Sequence, residues 1–75
     1  MLKFSKNNTH SNDWRTIWNA NGNCETDYEI ERIDGKYFVT VCMYKEFLDH
    51  SGSFTYLSGA KKWANTQNAY LDMIE

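Results

Sequence analysis

Residues 25–44 read ETDYEIERIDGKYFVTVCMY, two runs of strand-forming residues on either side of Asp34-Gly35. That dipeptide is the strongest short-range hairpin signal, because both central residues of a type I′ turn need positive φ, which Gly adopts freely and Asp more readily than most. A two-residue turn fixes register, so the pairing follows from sequence: Ile33 faces Lys36, Arg32 faces Tyr37, Glu31 faces Phe38, Ile30 faces Val39 and Tyr28 faces Val41. Alternation then sorts the side chains onto two faces. One face collects Tyr28, Ile30, Tyr37, Val39, Val41 and Met43 and predicts a core. The other collects Glu25, Asp27, Glu29 and Glu31 with Phe38, Thr40, Cys42 and Tyr44, an acidic comb beside aromatics.

Working outward, alternation continues past Tyr44 through Lys45, Glu46, Phe47 and Leu48. The second strand is therefore expected to reach the turn residues Asp49-His50-Ser51-Gly52, with residues 53–57 returning as a third strand. Such a loop pairs Phe47 with Phe54 and Lys45 with Tyr56, placing Phe54 and Tyr56 on the core face. Ser58 reads as a helix N-cap, and Ala60, Trp63, Ala64, Gln67, Tyr70 or Leu71, and Ile74 recur at helical spacing. A C-terminal helix should thus lie across the core face. Upstream, Ser11-Asn12-Asp13 precede Trp14, Ile17 and Trp18 at i, i+3, i+4 spacing and Asn21-Gly22 follow, predicting a short helix. Trp14, Thr16 and Trp18 also alternate, which fits a strand, and a helix this short is marginal alone. Residues 1–12 are polar after Leu2 and Phe4 and read as a flexible arm, leaving 13–75 as a single domain. The fold class expected is α+β: a three-stranded antiparallel meander with a C-terminal helix packed on one face and a short N-terminal helix.

A chain of 75 residues holds one domain, and its 41% hydrophobic and 16% aromatic content is rich enough to bury a core without staples. A net charge of -2 does not point to nucleic acid or an anionic membrane, so any electrostatic function rests on local pattern. No apolar run reaches membrane-spanning length, and MLKFSKNNTHSND lacks the apolar centre of a secretory signal, which predicts a soluble cytoplasmic protein. Register places Cys24 and Cys42 on opposite faces, so free thiols are expected rather than a bridge.

Glu25, Asp27, Glu29 and Glu31 take every second position, which spaces their carboxylates about 6.6 Å apart along the strand. Their partners across the hairpin are Phe38, Thr40, Cys42 and Tyr44, with no Lys or Arg, so the row is unneutralised within the pair. A solvent-facing strand also needs polar residues simply to stay soluble, and Glu serves that purpose. Lys61 and Lys62 in the first helical turn, with Asp72 and Glu75 in the last, run against the helix dipole, a small cost that either carries no meaning or marks charges that serve a partner rather than the fold. Phe38 and Tyr44 suit a protein contact better than base stacking, since four carboxylates repel an anionic backbone. His10, Cys24, Cys42 and His50 contain no close ligand pair of the kind zinc modules use. Ser51 and Ser53 near His50 bring neither pocket nor oxyanion hole, and open-strand carboxylates lack a desolvated site. The expectation is a non-enzymatic binding protein with no cofactor and no metal, using Glu25, Asp27, Glu29, Glu31, Phe38 and Tyr44.

A stand-alone chain of this length with a Glu-rich first strand (YEIERIDGKYFVTV, residues 28–41), a meander and a terminal helix opened by LSGAKKWAN (residues 57–65) resembles the small accessory proteins of bacteriophages and mobile elements. That group includes anti-CRISPR proteins, anti-restriction proteins and inhibitors of host polymerase. The resemblance is architectural and covers residues 25–75. It implies stoichiometric binding of a host protein or nucleoprotein complex in the host cytoplasm, often over its nucleic-acid site, with Asp27, Glu29 and Glu31 at the acidic positions. The modest net charge departs from strongly acidic nucleic-acid mimics. Two other classes stay open: a small nucleic-acid-binding domain using Lys3, Lys6, Lys61 and Lys62, and a homodimer or larger structural oligomer built by pairing of edge strands.

Overall fold

In the computed structural model, which describes residues 1–9, 11, 14–23 and 25–73, five antiparallel strands and one helix follow one another. They are β1 (Ser5–Lys6), β2 (Arg15–Asn21), β3 (Thr26–Ile33), β4 (Lys36–Met43), β5 (Glu46–His50) and α1 (Leu57–Met73), with the strands side by side in chain order. The α+β class stands, while the expected three-stranded sheet and N-terminal helix do not.

The central hairpin has the register that Asp34-Gly35 dictates, with every pair from Thr26↔Met43 to Ile33↔Lys36 in step. Asp34 and Gly35 have φ of 52° and 76°, the double left-handed geometry of a type I′ turn. Tyr28, Ile30, Val39 and Val41 are fully buried beneath α1, as alternation requires. Each such side chain contributes about 1.5–3 kcal/mol by leaving water.

Residues 15–21 form a strand because β3 offers them a full edge. Seven consecutive pairs run from Arg15↔Ile33 to Asn21↔Asp27, more backbone hydrogen bonding than a two-turn helix supplies. Trp18 and Ala20 join the core side, and Ile17 is buried on the opposite face, whereas Trp14 lies exposed just before the strand. The N-terminal residues read as an arm lie against the sheet: Ser5 and Lys6 pair with Asn19 and Trp18, Leu2 is buried, and its N–H donates to Asn65 Oδ1 at 2.7 Å.

The third correction concerns the second turn. β4 ends at Met43, and Tyr44-Lys45 reverses the chain with both residues at positive φ (52° and 65°), so that Glu46 pairs Met43. Glu46, Phe47 and Leu48, expected to extend the second strand, instead belong to β5, which runs on through Asp49 and His50 of the expected turn. Phe47 consequently faces Cys42 rather than Phe54, and Phe54 makes an isolated bridge with Tyr37 through bonds of 2.8 and 2.9 Å. Phe54 does reach the core, while Tyr56 remains exposed. Ser51 locks the chain after β5: its N–H donates to the Val39 carbonyl at 2.8 Å and its Oγ accepts the Val39 N–H at 2.9 Å.

α1 begins at Leu57, with the Tyr56 carbonyl accepting from Gly59 and Ala60, so Ser58 lies inside the helix rather than capping it. Lys61 and Lys62 accordingly fall beyond the first turn, where the helix dipole has little hold on them. Ala60 and Ala64 are wholly buried and set a close approach to the sheet, with Leu57 and Trp63 packed around them. Ile74, expected as a core residue, lies outside the described residues. At the far end Asn68 ties the helix to the β2–β3 loop, its Oδ1 accepting the Asn23 N–H at 2.7 Å and its carbonyl accepting the Asn23 amide at 3.3 Å. Gly22 sits so tightly under this contact that a Cβ would come within 2.5 Å of both Asn68 Oδ1 and Tyr28 Cε2.

Two stability predictions follow from that corner. Gly22→Ala should lower the urea midpoint by the equivalent of about 1–3 kcal/mol, because a methyl group must push back a helix side chain and a core ring together. Asn68→Ala should cost about 1–2 kcal/mol in the same measurement, since it strips the half-buried Asn23 N–H of its side-chain acceptor on the helix.

Candidate functional site

The sheet face away from α1 carries the acidic comb, and β2 changes its electrostatics. Arg15 lies on the same face, diagonal to Glu31, and its Nε forms an ion pair with Glu31 Oε2. Both side chains are about one-third exposed or less, so this end of the row is neutralised and partly shielded. Glu29 stands between Asn19 and Thr40, and Asp27 between Asn21 and Cys42. Neither has an ion-pair partner among the described residues. Openness rises along the strand: Glu31 and Glu29 are half-buried, Asp27 and Glu25 exposed. The row expected as uniformly uncompensated is therefore graded, paired at Glu31 and free toward Glu25.

The aromatics divide differently from their reading in the sequence. Phe38 faces Glu31 at the shielded end and is 37% exposed, whereas Tyr44 projects from its turn 68% exposed. Between them stand two residues that sequence reasoning did not place here, Phe47 and His50. They share the comb face because of a bulge: Cys42 faces Phe47 and Val41 faces Asp49, leaving Leu48 without a partner. The inserted residue puts side chains three apart, not two, on the same side. Phe47 and His50 rings pack with centroids 5.9 Å apart, and Phe47 is 64% exposed. No composition or spacing signal marks that bulge, since Tyr44-Lys45 lacks the Asn or Gly that announces a type I′ turn.

At the open end of the comb is a cleft of ≈ 600 Å³, lined by Asn21, Gly22, Glu25, Thr26, Asp27, Tyr44 and Lys45. It gathers three of the six expected site residues, Glu25, Asp27 and Tyr44, and omits Glu29, Glu31 and Phe38. The rim is built from unusual backbone. Glu25, Tyr44 and Lys45 have φ of 57°, 52° and 65°, conformations that cost a non-glycine residue roughly 1–2 kcal/mol each. Tyr44 N–H donates to the Glu25 carbonyl at 3.1 Å, so the two strained segments hold each other. Thr26 is buried behind them, its hydroxyl donating to the Asn23 carbonyl, and Gly22 N–H donates to the Thr26 carbonyl at 2.8 Å.

Among the described residues no group of three or more His, Cys, Asp or Glu residues is placed to hold a metal ion, and His10 and Cys24 lie outside those residues. Cys42 is a free, half-buried thiol. No helix is long and apolar enough to cross a membrane.

The outer edge of the sheet is interrupted as a template for strand addition. The bulge breaks the even spacing of outward backbone groups, and the Asp49 carboxylate accepts the His50 N–H at 2.8 Å. At the opposite edge β1 is two residues long and carries Lys6. These are the devices by which sheets avoid edge-to-edge association, and they count against oligomers built through β5. The chain matches no protein-family model, no curated protein and no solved structure.

Replacing Asp49 by Val should uncover the edge. In light scattering, the mass of Asp49→Val is expected to climb more steeply with protein concentration than that of the parent; identical curves would show that the carboxylate does not guard β5.

Proposed function

We propose that this chain is a small non-enzymatic inhibitor that binds a partner protein through the open β3–β5 face, covering a basic surface that in the partner receives nucleic acid. One observation carries the reading: among the described residues Asp27 and Glu29 have no ion-pair partner, and their sheet face also exposes Phe47 and His50, with Tyr44 exposed in the turn at its end. Solvation alone calls for polar residues on such a face, but not for aromatic rings beside unpaired carboxylates. That combination matches the anchors and complementary charge of protein interfaces. The architectural likeness to phage accessory proteins, anti-CRISPR proteins among them, suggests a host defence or transcription complex as target, met in the host cytoplasm. Direct nucleic-acid binding by this face is disfavoured, because a phosphate backbone would meet the same carboxylates.

The decisive variant pairs Asp27→Lys with Glu29→Lys and leaves the Arg15–Glu31 ion pair intact. A bacterial nucleic-acid-binding protein captured by the parent should be released by moderate salt and displaced by its own nucleic acid. The double variant, shown folded by circular dichroism, should bind it at least about tenfold more weakly. Equal capture by parent and variant at equal salt would remove the acidic face from the function.

A further inference from the structure

The cleft at the Tyr44 end has walls that differ in kind. Glu25 and Asp27 supply exposed carboxylates, Tyr44 an exposed ring, Asn21 an amide and Lys45 a single ammonium. Two carboxylates against one ammonium leave a deficit of one positive charge. We propose that this cleft, resting on the protein-binding reading above, is where one arginine side chain of the partner protein docks.

Charge complementarity selects a cation, and the remaining features select arginine over lysine. A guanidinium is planar, offers a fork of N–H donors matched to carboxylates, and stacks on an aromatic face. Lysine would answer the charge but neither the ring nor the paired acceptors. A volume of ≈ 600 Å³ falls in the range of small-molecule sites, enough for the guanidinium and its stem together. The walls are also held in place before any partner arrives. Tyr44 N–H is bound to the Glu25 carbonyl, and the loop behind them is pinned to α1 through Asn23 and Asn68. Little ordering remains to be done on docking, which favours affinity for a group that meets the walls as they stand. The site lies at the exposed end of the comb, away from the shielded Glu31, and Asp27 belongs to both the comb and the cleft.

The test uses the intact protein and small probes: acetylated, amide-capped arginine, its lysine counterpart, and the neutral isostere citrulline, titrated while amide resonances are followed by NMR. Capped arginine should shift Gly22, Glu25, Asp27 and Tyr44 saturably, lysine more weakly, and citrulline not at all. Tyr44→Gly removes the ring while suiting the left-handed backbone, so it should fold at least as stably as the parent and bind capped arginine roughly threefold more weakly. Asp27→Asn should weaken it as well. Equal shifts from citrulline, shifts from an oligonucleotide in the same place, or movement of these resonances with protein concentration alone would each overturn the proposal, the last pointing to a second copy as occupant. The two readings fail separately. Loss of partner capture in the double lysine variant with no arginine response in the cleft leaves the open face standing and sinks the cleft. Saturable arginine binding with capture unaffected by the double variant does the reverse.

Discussion

The positive φ of Asp34 and Gly35 is the constraint from which the rest of the structure follows. A type I′ turn twists with its strands, so β3 and β4 leave it already in register, and a slip of one residue would turn every side chain to the wrong face. Ile30 and Val39, Tyr28 and Val41 are opposite one another because of that turn, and their burial gives α1 a surface to pack on. The same parity sends Asp27, Glu29 and Glu31 to the other side. Core and acidic face are thus two results of one local geometry, and neither can be shifted without the other.

Close approach is the second condition. α1 lies low on the sheet because Ala60 and Ala64 present only methyl groups, and its C-terminal half is fastened through Asn68 to a loop in which Gly22 has no room for a side chain. This corner also supports the cleft. The loop that meets Asn68 leads into Glu25, and Glu25 accepts the hydrogen bond from Tyr44. Packing on the buried side of the sheet therefore positions residues on the exposed side, through the backbone hydrogen bonds of Gly22, Asn23, Glu25 and Thr26.

Much of this was legible in the sequence where local chemistry is emphatic. Asp34-Gly35 specified its hairpin pair by pair, and the 3.6-residue recurrence of Ala60, Trp63 and Ala64 located the helix and the face it covers. Where local signals were ambiguous, tertiary pairing decided. Trp14, Ile17 and Trp18 satisfy a helical pattern, yet the unpaired edge of β3 offered seven residues of ladder, which propensity over so short a stretch cannot outweigh. Tyr44-Lys45 carries no turn signature. It reverses the chain because β5 can then pair with β4 and Ser51 can close on Val39, at the cost of two strained residues. The bulge at Leu48 is a consequence of fitting β5 to Val41 and Cys42, so the placement of Phe47 and His50 could not be read from alternation. Of the candidate site, the carboxylates were visible in the sequence, while the ion pair at Glu31 and the cleft at Tyr44 depend on strands whose positions it did not declare.

The edges of the sheet narrow what the face can do. A five-stranded sheet with an accessible edge would be expected to recruit partners by adding a strand, a mode governed by backbone hydrogen bonds and tolerant of sequence. Here β1 is too short to serve, and β5 is bulged with its His50 N–H occupied by Asp49. On the exposed face the side chains vary from an ion pair at Arg15–Glu31, through carboxylates with no ion-pair partner among the described residues, to a cleft lined in part by Tyr44. Such a gradient has a direction. A cation would gain least at the neutralised end and most at the open one, so Arg15, by pairing Glu31, gives the acidic face a polarity that points toward Asp27, Glu25 and Tyr44.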